Sequence, residues 1–274
     1  MTARVLAAGC LLAIGSAWPF LAASAQTPGP AEAPGADGTD LIAEIGLGGR
    51  VQPSYLGSDE VSFSPSPILS LSYLRFPGLF EIGGGPRTAF SIGPSFRVTG
   101  ARDPDDHPEL AGTRPLDATY EVGVRAGYDF DFNAAFGAEL YGEARWAFGE
   151  AEGLVGNVGV QAIVRPTDSL ELRFGPRASF AASDYVSTYF SVSPAESLAS
   201  GGNLAAHDAG AGLYSVGLQA SARYEFRSNW FLNVEAGYER LIGDAGDSPI
   251  VAEGSADQFS AEIGISHRFS LDLF

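Results

Sequence analysis

From residue 41 to residue 269 the chain switches between apolar and polar side chains at every second position, segment after segment. The clearest stretch carries Tyr120, Val122, Val124, Ala126, Tyr128, Phe130 and Phe132 on one parity. The other parity holds Glu121, Gly123, Arg125, Gly127, Asp129 and Asp131. An extended strand projects alternate side chains to opposite faces, so this segment has one oily face and one charged face. A soluble sandwich would hide the oily face in a shared core. Here the same contrast recurs at near-regular spacing down to the last residues, as a membrane-spanning β-barrel requires.

The beginning of the chain reads as an export signal. Arg4 supplies the positive n-region, Val5 to Ala22 the apolar stretch, and Ala23-Ser24-Ala25 a small-x-small cleavage site before Gln26. Cys10 follows a lipoprotein-like Leu6-Ala7-Ala8-Gly9, but that would leave an apolar core shorter than a signal needs. Cleavage after Ala25 removes the single cysteine and with it any disulfide or thiol chemistry. Residues 26–40, rich in Pro, Ala, Gly and Asp, have no periodicity and read as a flexible periplasmic lead-in. Beyond the signal no run approaches the roughly 20 apolar residues of a membrane helix. Closing a sheet on itself is the other way to satisfy every backbone hydrogen bond in lipid. Residues 41–274 are therefore assigned to one outer-membrane barrel. The net charge of −17, with arginine as the sole cation besides histidine, argues against a nucleic-acid partner.

The predicted strands are 41–52, 66–83, 88–98, 118–132, 134–148, 154–164, 169–181, 212–226, 229–241 and 258–269. Their oily parity includes Phe90, Ile92, Phe96 and Val98 in the third and Leu170, Leu172, Phe174, Ala178 and Phe180 in the seventh. In the eighth it is assigned to Tyr214, Val216, Leu218, Ala220, Ala222, Tyr224 and Phe226. Connections alternate between long ones at 53–65, 99–117, 182–211 and 242–257 and short ones at 84–87, Asn133, 165–168 and 227–228, with a short external turn at 149–153. Short periplasmic turns and longer external loops make an antiparallel up-and-down barrel of ten strands with both termini periplasmic. Phe76-Pro77-Gly78 interrupts the second strand, and Pro-Gly normally marks a turn. If it is a hairpin, the alternative is twelve strands, with Tyr185–Ser193 as the extra one. Trp146, Phe148, Tyr224, Phe226 and Trp230 sit where interfacial girdles belong.

Three blocks carry a resemblance. The first is Val51-Gln52-Pro53-Ser54-Tyr55-Leu56-Gly57-Ser58-Asp59-Glu60, followed by Pro65-Ser66-Pro67. The second is Phe174-Gly175-Pro176-Arg177-Ala178-Ser179-Phe180, leading to Tyr185 and Tyr189-Phe190-Ser191-Val192. The third runs from Tyr238-Glu239-Arg240-Leu241 through Asp244, Asp247, Ser248 and Pro249 to Val251, with a closing strand that reaches His267-Arg268-Phe269. In order and spacing the chain resembles the MipA/OmpV family of outer-membrane proteins. The resemblance implies a non-catalytic scaffold that positions a murein lytic transglycosylase and a peptidoglycan synthase, embedded among outer-membrane lipid and lipopolysaccharide. His267 stands where the family usually has Tyr, and the chain continues to Phe274. The terminal aromatic that directs barrel insertion is thus Phe269, on the oily parity, or Phe274, one position off it.

The inward parity gathers Glu121, Arg125, Asp129, Glu139, Glu143, Arg145, Arg173, Arg177, Arg223, Glu225, Glu235, Glu239, Glu262 and Arg268. A ten-stranded bore is only a little wider than one that side chains fill, so these charges should pair across the lumen. A narrow conducting path and a small-solute site are the alternatives. The loop at Pro53, Tyr55, Gly57, Ser58 and Asp59 has proline, glycine and Asp for ordered turns. Asp244, Ser248 and Pro249 read as a second turn-rich loop folded over the barrel mouth, and Tyr189 and Phe190 belong to the motif between them. Asp103, Asp105, Asp106, His107 and Glu109 form an oxygen-rich external loop, read as solvated because the spacing matches no calcium loop. His107, His207 and His267 have no serine at a telling spacing. No metal set, phosphate loop or nucleophile elbow is present in the sequence, so no cofactor and no enzymatic activity are expected. A surface adhesion role drawing on the external loops is a further alternative.

Overall fold

The computed structural model describes residues 39–273 apart from Gly78 and residues 84–89. The predicted signal, nearly all of the lead-in and Phe274 lie outside the described residues. The strands are β1 (Leu41–Pro53), β2 (Val61–Phe76), β3 (Phe80–Gly83), β4 (Phe90–Thr99), β5 (Thr119–Asp131), β6 (Phe136–Gly149), β7 (Gly153–Thr167) and β8 (Leu170–Ala181). Two short helices follow, α1 (Ser183–Phe190) and α2 (Pro194–Ala199), then β9 (Gly212–Arg227) and β10 (Trp230–Leu241). Helices α3 (Gly243–Gly246) and α4 (Pro249–Glu253) precede the closing β11 (Asp257–Leu271). None of the helices among the described residues is long and apolar enough to cross a membrane.

All eleven strands form one sheet in the order β3-β2-β1-β11-β10-β9-β8-β7-β6-β5-β4. The first and last long strands pair antiparallel from Leu41↔Leu271 to Val51↔Ala261, which joins the two ends of the sequence. Phe76-Pro77 does open a turn, with the Leu79 amide donating to the Phe76 carbonyl at 3.0 Å. The returning β3 is only four residues long and runs in the same sense as β4, so together they occupy one strand position. The count stays at ten in a nearly closed barrel. Tyr185–Ser193, the candidate for an extra strand, is instead helix α1 and the residues that end it. The alternative of twelve strands is thereby corrected.

Proline explains where the barrel meets itself. Pro65 and Pro67 on β2 and Pro94 on β4 have no N–H to give a ladder, which suits strand edges, whereas Pro176 in the doubly paired β8 sits where the pairing with β7 is interrupted. The two strands still run side by side: a Cβ on Gly93 would lie 4.0 Å from the Leu71 carbonyl oxygen. Strand β2 begins at Val61, five residues before the predicted start, because Pro65 and Pro67 are accommodated within it.

The turns follow side-chain chemistry. Asn229, at φ 63°, supplies the left-handed residue of the β9–β10 turn. The side-chain oxygen of Asn133 accepts from the amides of Ala135 and Phe136 at 2.9 and 3.0 Å, which folds the β5–β6 turn. These tight turns lie at the end that also holds both ends of the barrel sequence. The opposite end carries the connections with helices.

The two faces are partitioned in the reverse of a soluble protein. Phe63 is 75 % exposed, Phe259 62 % and Trp146 61 %, while Glu121 and Glu139 are 1 % exposed. The outside of the sheet is thus the oily parity and the inside the charged one. One residue breaks the predicted parity. Between Ser179↔Ser215 and Phe180↔Leu213 the register shifts, leaving Tyr214 as an extra residue. This bulge turns Tyr214 inward, where it is 2 % exposed, and puts Leu213 on the outer wall in its place.

Candidate functional site

The lumen and the structure over its mouth are the site that this architecture builds. Along the wall of β5 to β8 the inward charges form an unbroken ladder. Asp131 meets Arg165 at 3.0 Å, and Arg165 meets Glu171 at 2.9 Å. Arg173 bridges Glu171 and Glu139, both at 2.7 Å. Arg125 grips both oxygens of Glu139 at 2.7 and 2.9 Å and reaches Glu143 at 3.5 Å. Arg145 then contacts Glu143 and Glu121, the latter at 2.8 Å. At the top, the Tyr185 hydroxyl of α1 donates to Glu121 at 2.9 Å. Glu171, Glu139 and Glu143 each lie between two arginines, which offsets the desolvation of a buried carboxylate.

The pairing runs along the wall and not across the bore, contrary to the expectation from a narrow lumen. Most partners lie on adjacent strands or one strand apart, where their side chains meet without spanning the barrel. Elsewhere Arg177 pairs with Glu239, Arg223 with Glu44, and Arg50 with Glu262 at 2.8 Å. Arg223 and Arg268 both lie over the Phe231 ring, at 3.5 and 4.7 Å. Glu225 serves a turn, accepting the Asn229 amide at 2.8 Å. Asp129 and Glu235 have no ion pair among the described residues, and one oxygen of Asp129 is buried without a hydrogen bond. Glu44, Arg50, Arg165 and Glu171 also join these pairs, although they lie outside the inward set expected from the sequence. Parity alone assigns Glu171, opposite Leu170 and Leu172. Glu44 and Arg50 sit among glycines, where the alternation fades.

Two cavities with charged side chains in their walls remain inside the barrel. One of about 260 Å³ lies under the mouth and is lined by Arg50, Arg97, Tyr141, Arg177, Glu235 and Glu239 among others. Another of about 240 Å³ is lined by Glu171, Arg173, Arg223, Asn233, Glu235 and Glu262. Glu235 belongs to both.

Over the mouth, the connections fold into an apolar cap. Tyr185, Val186, Tyr189 and Phe190 from α1 pack with Ala245 and Val251 of the β10–β11 connection. Inward residues of the barrel rim, Ala147, Val155, Ala181, Tyr214 and Leu241, complete the same cluster. A second cluster joins Tyr55, Leu110, Val192, Leu204 and Ile250. The motif residues converge here. Gly57, at φ 99°, donates its amide to Gln258 at 3.1 Å, and the Gln258 amide group donates to the Ser58 carbonyl at 3.1 Å. Ser248 donates to the Phe190 carbonyl at 2.6 Å and accepts the Ile250 amide at the start of α4, where Pro249 fits the first turn. Asp244 accepts the Gly210 amide at 3.0 Å. Pro53 ends β1 where the chain leaves the wall, and Asp59 is exposed. Burial pushes the Tyr55 and Tyr189 hydroxyls up to about 12, and that of Tyr185 well above its ordinary value.

The three histidines occupy unlike places. His107 stacks edge-on against Tyr55 at 4.8 Å, with Glu109 at 3.5 Å. The His207 Nε2 meets the Asp244 carbonyl at 2.8 Å. His267 lies between Trp230 and Phe269 on the outer wall, at 4.7 and 4.5 Å. Phe269 faces outward, and β11 continues in unchanged register to Leu271. No cluster of His, Cys, Asp and Glu able to hold a metal ion occurs among the described residues. Asp103, in the oxygen-rich loop, instead folds a local turn by accepting the Asp105 amide at 3.0 Å.

The family model described as "MltA-interacting protein MipA" matches residues 45–269. Among solved structures, the chain is similar to the COG4313 outer-membrane channel of Pseudomonas putida F1, at 10 % identity and a TM-score of 0.48, covering 84 % of this chain and 96 % of that one. It is also similar to the CymD monoaromatic hydrocarbon channel, at 11 % identity and a TM-score of 0.37, covering 86 % and 90 %. The NanC porin gives 8 % identity and a TM-score of 0.36 over 83 % and 98 %. No curated protein matches the chain.

Proposed function

The chain belongs to the MipA family of outer-membrane barrels, and from that premise we propose that it is a closed, non-catalytic scaffold for peptidoglycan-remodelling enzymes. The observation that carries the reading is the cap. Buried aromatic side chains from α1 pack against the barrel rim and tie into the lumen through Tyr185 and Glu121. A barrel stoppered this way offers surface and no passage. The family description names an interaction with MltA, and the partner proposed is a murein lytic transglycosylase together with a peptidoglycan synthase. The end with the tight turns faces the periplasm in this reading, as short periplasmic turns suggest, with lipid and lipopolysaccharide around the wall. Residues 1–25 act as the signal and 26–40 as the tether that reaches toward the partner. Four short turns alone offer less than the roughly 800 Å² per side of an ordinary complex. Phe269, outward and in register, is the insertion signal.

Pull-down from envelope extracts tests this. The tagged barrel should retain a lytic transglycosylase, and deletion of residues 26–40 should release it. Failure of the intact, folded barrel to retain any peptidoglycan enzyme would refute the scaffold. The two lumenal cavities favour a second reading, a barrel that holds a small solute from the tight-turn side. Planar-bilayer recording and solute titration of variants altered in the lumen, such as Glu235→Gln, separate the two, since a scaffold neither conducts nor holds a solute inside its bore.

A further inference from the structure

The cap has a polar pocket of its own on the side away from the lumen. It measures about 610 Å³, within the range of small-molecule sites; Arg102, Arg114, Ser187, Thr188, Ser191 and His207 line it, as do the carboxylates Glu196 and Asp208, of which Glu196 is engaged by the Arg114 and Ser193 amides. Arg102 is the anomaly. It is 2 % exposed, yet no carboxylate lies within ion-pair distance of it among the described residues. One guanidinium nitrogen donates to the Tyr189 carbonyl at 2.9 Å, and Nε is buried with no partner. Burial presses this guanidinium down to about 10, against a weaker opposing pull from Tyr55 and Glu196. An arginine buried this way is a charge awaiting a counter-ion.

The neighbouring groups specify what else a ligand must carry. Ser187 and Thr188 donate their hydroxyl protons to the Asp184 carbonyl, at 3.3 and 2.7 Å, which leaves their oxygens free to accept. Ser191 accepts the Ala209 amide at 2.9 Å, so its own proton is available to donate. His207 gives Nε2–H to a carbonyl, which leaves Nδ1 as an acceptor. The site thus combines one unsatisfied cation with several hydroxyl-matched acceptors. A bare anion would use only the first, and a neutral sugar only the second.

We propose that this pocket binds an oxyanion borne on a polyhydroxylated molecule, a phosphorylated saccharide, with Arg102 holding the phosphate and Ser187, Thr188 and His207 accepting from sugar hydroxyls. The site stands on its own geometry. Only the source of the ligand rests on the proposed orientation: a lipopolysaccharide headgroup beside the barrel, or a soluble sugar phosphate.

The test is calorimetric titration of the full barrel, folded in detergent micelles, with glucose 6-phosphate, inorganic phosphate and glucose. The sugar phosphate should bind saturably and more tightly than phosphate, and glucose should not bind. Arg102→Met should weaken sugar-phosphate binding by roughly 10- to 100-fold, the worth of a charge-assisted hydrogen bond. Should that variant not give a heat-modifiable folded band, Thr188→Val and Ser191→Ala serve instead. Each should weaken the sugar phosphate several-fold and leave inorganic phosphate unchanged. Absence of saturable sugar-phosphate binding, no advantage over phosphate, or full affinity in folded Arg102→Met would each overturn the assignment. In phosphatidylcholine vesicles, loss of sugar-phosphate binding when lipopolysaccharide is added supports the site with the lipid as its occupant. Retention of binding supports it with a soluble one.

Discussion

Substituting Arg145 with methionine should destabilise the barrel more than any other single change in the ladder. The Arg145 side chain is 1 % exposed and that of Glu121 is 0 %. Removing the guanidinium takes away the 2.8 Å contact to Glu121, the contact to Glu143 and a 3.2 Å bond to Ser95. Breaking one side of a buried ion pair costs about 3–5 kcal/mol, chiefly because the remaining charge is stranded. Two features pull the cost toward about 3 kcal/mol on that scale. Glu121 keeps the Tyr185 hydroxyl at 2.9 Å, and Glu143 keeps Arg125 at 3.5 Å and the Asn157 amide at 3.1 Å. Adding Glu121→Gln removes the stranded charge, so the double variant should recover most of the loss and end within about 1 kcal/mol of the original protein. Urea unfolding of the micelle-folded barrel, followed by tryptophan fluorescence, reads both, with Trp146 beside the altered residue. A loss of less than about 1 kcal/mol in the single variant, or a further loss on adding the second substitution, would refute the assignment of a stranded charge at Glu121.

Planar-bilayer recording should show no steady conductance for the intact protein, and deletion of residues 183–210, which carry α1 and α2, should produce open-channel steps. Gly57→Ala should loosen the cap by about 1–3 kcal/mol, because φ is 99° and the new methyl would lie 2.8 Å from Val251 Cγ2; limited proteolysis within 242–256 would report it. Alkaline conditions should open the cap as well. The Tyr55 and Tyr189 hydroxyls, near 10 in an unfolded chain, are raised to about 12, so between those values the unfolded state binds fewer protons than the folded one. Their contribution is complete below pH 10 and fades as pH climbs toward 12, which tyrosinate absorbance and protease sensitivity should follow together. A cap equally protease-resistant at both ends of that range would contradict the assignment of these tyrosines to its core.

Alternation made the wall legible and left the cap illegible, for one physical reason. A strand with lipid on one side and a polar bore on the other must repeat its pattern every second residue, so strand existence, strand number and inward charge can be read directly. The cap obeys no period. Tyr185, Tyr189 and Phe190 have the spacing of a helix turn, yet in a barrel sequence Tyr185, Ser187, Tyr189 and Ser191 also imitate a strand. Tyr214 shows the same limit at the rim. Its position matches the oily parity of an unbroken β9, but a bulge, which needs no sequence mark, sends it inward. The direction of ion pairing was equally hidden, since partners such as Arg173 and Glu139 depend on which strands are two apart in the sheet.

The three blocks that mark the family therefore have a common structural meaning. Gly57 and Ser58, Tyr189 and Phe190, and Ser248 and Pro249 come from separate connections, yet the cap ties them together: Ser248 bonds the Phe190 carbonyl, and Ser255, from the connection that carries Ser248, bonds the Gly57 carbonyl at 2.7 Å. What the motif specifies is a stopper, built from three loops that no two-residue periodicity could assemble. The stopper and the wall are joined at Glu121, where Arg145 from the ladder and Tyr185 from α1 share one carboxylate. A group held from both sides has two reasons to stay in place. Loss of either partner leaves the other to hold a buried charge alone, so the closure of the mouth and the ion ladder behave as one unit and not as two independent devices.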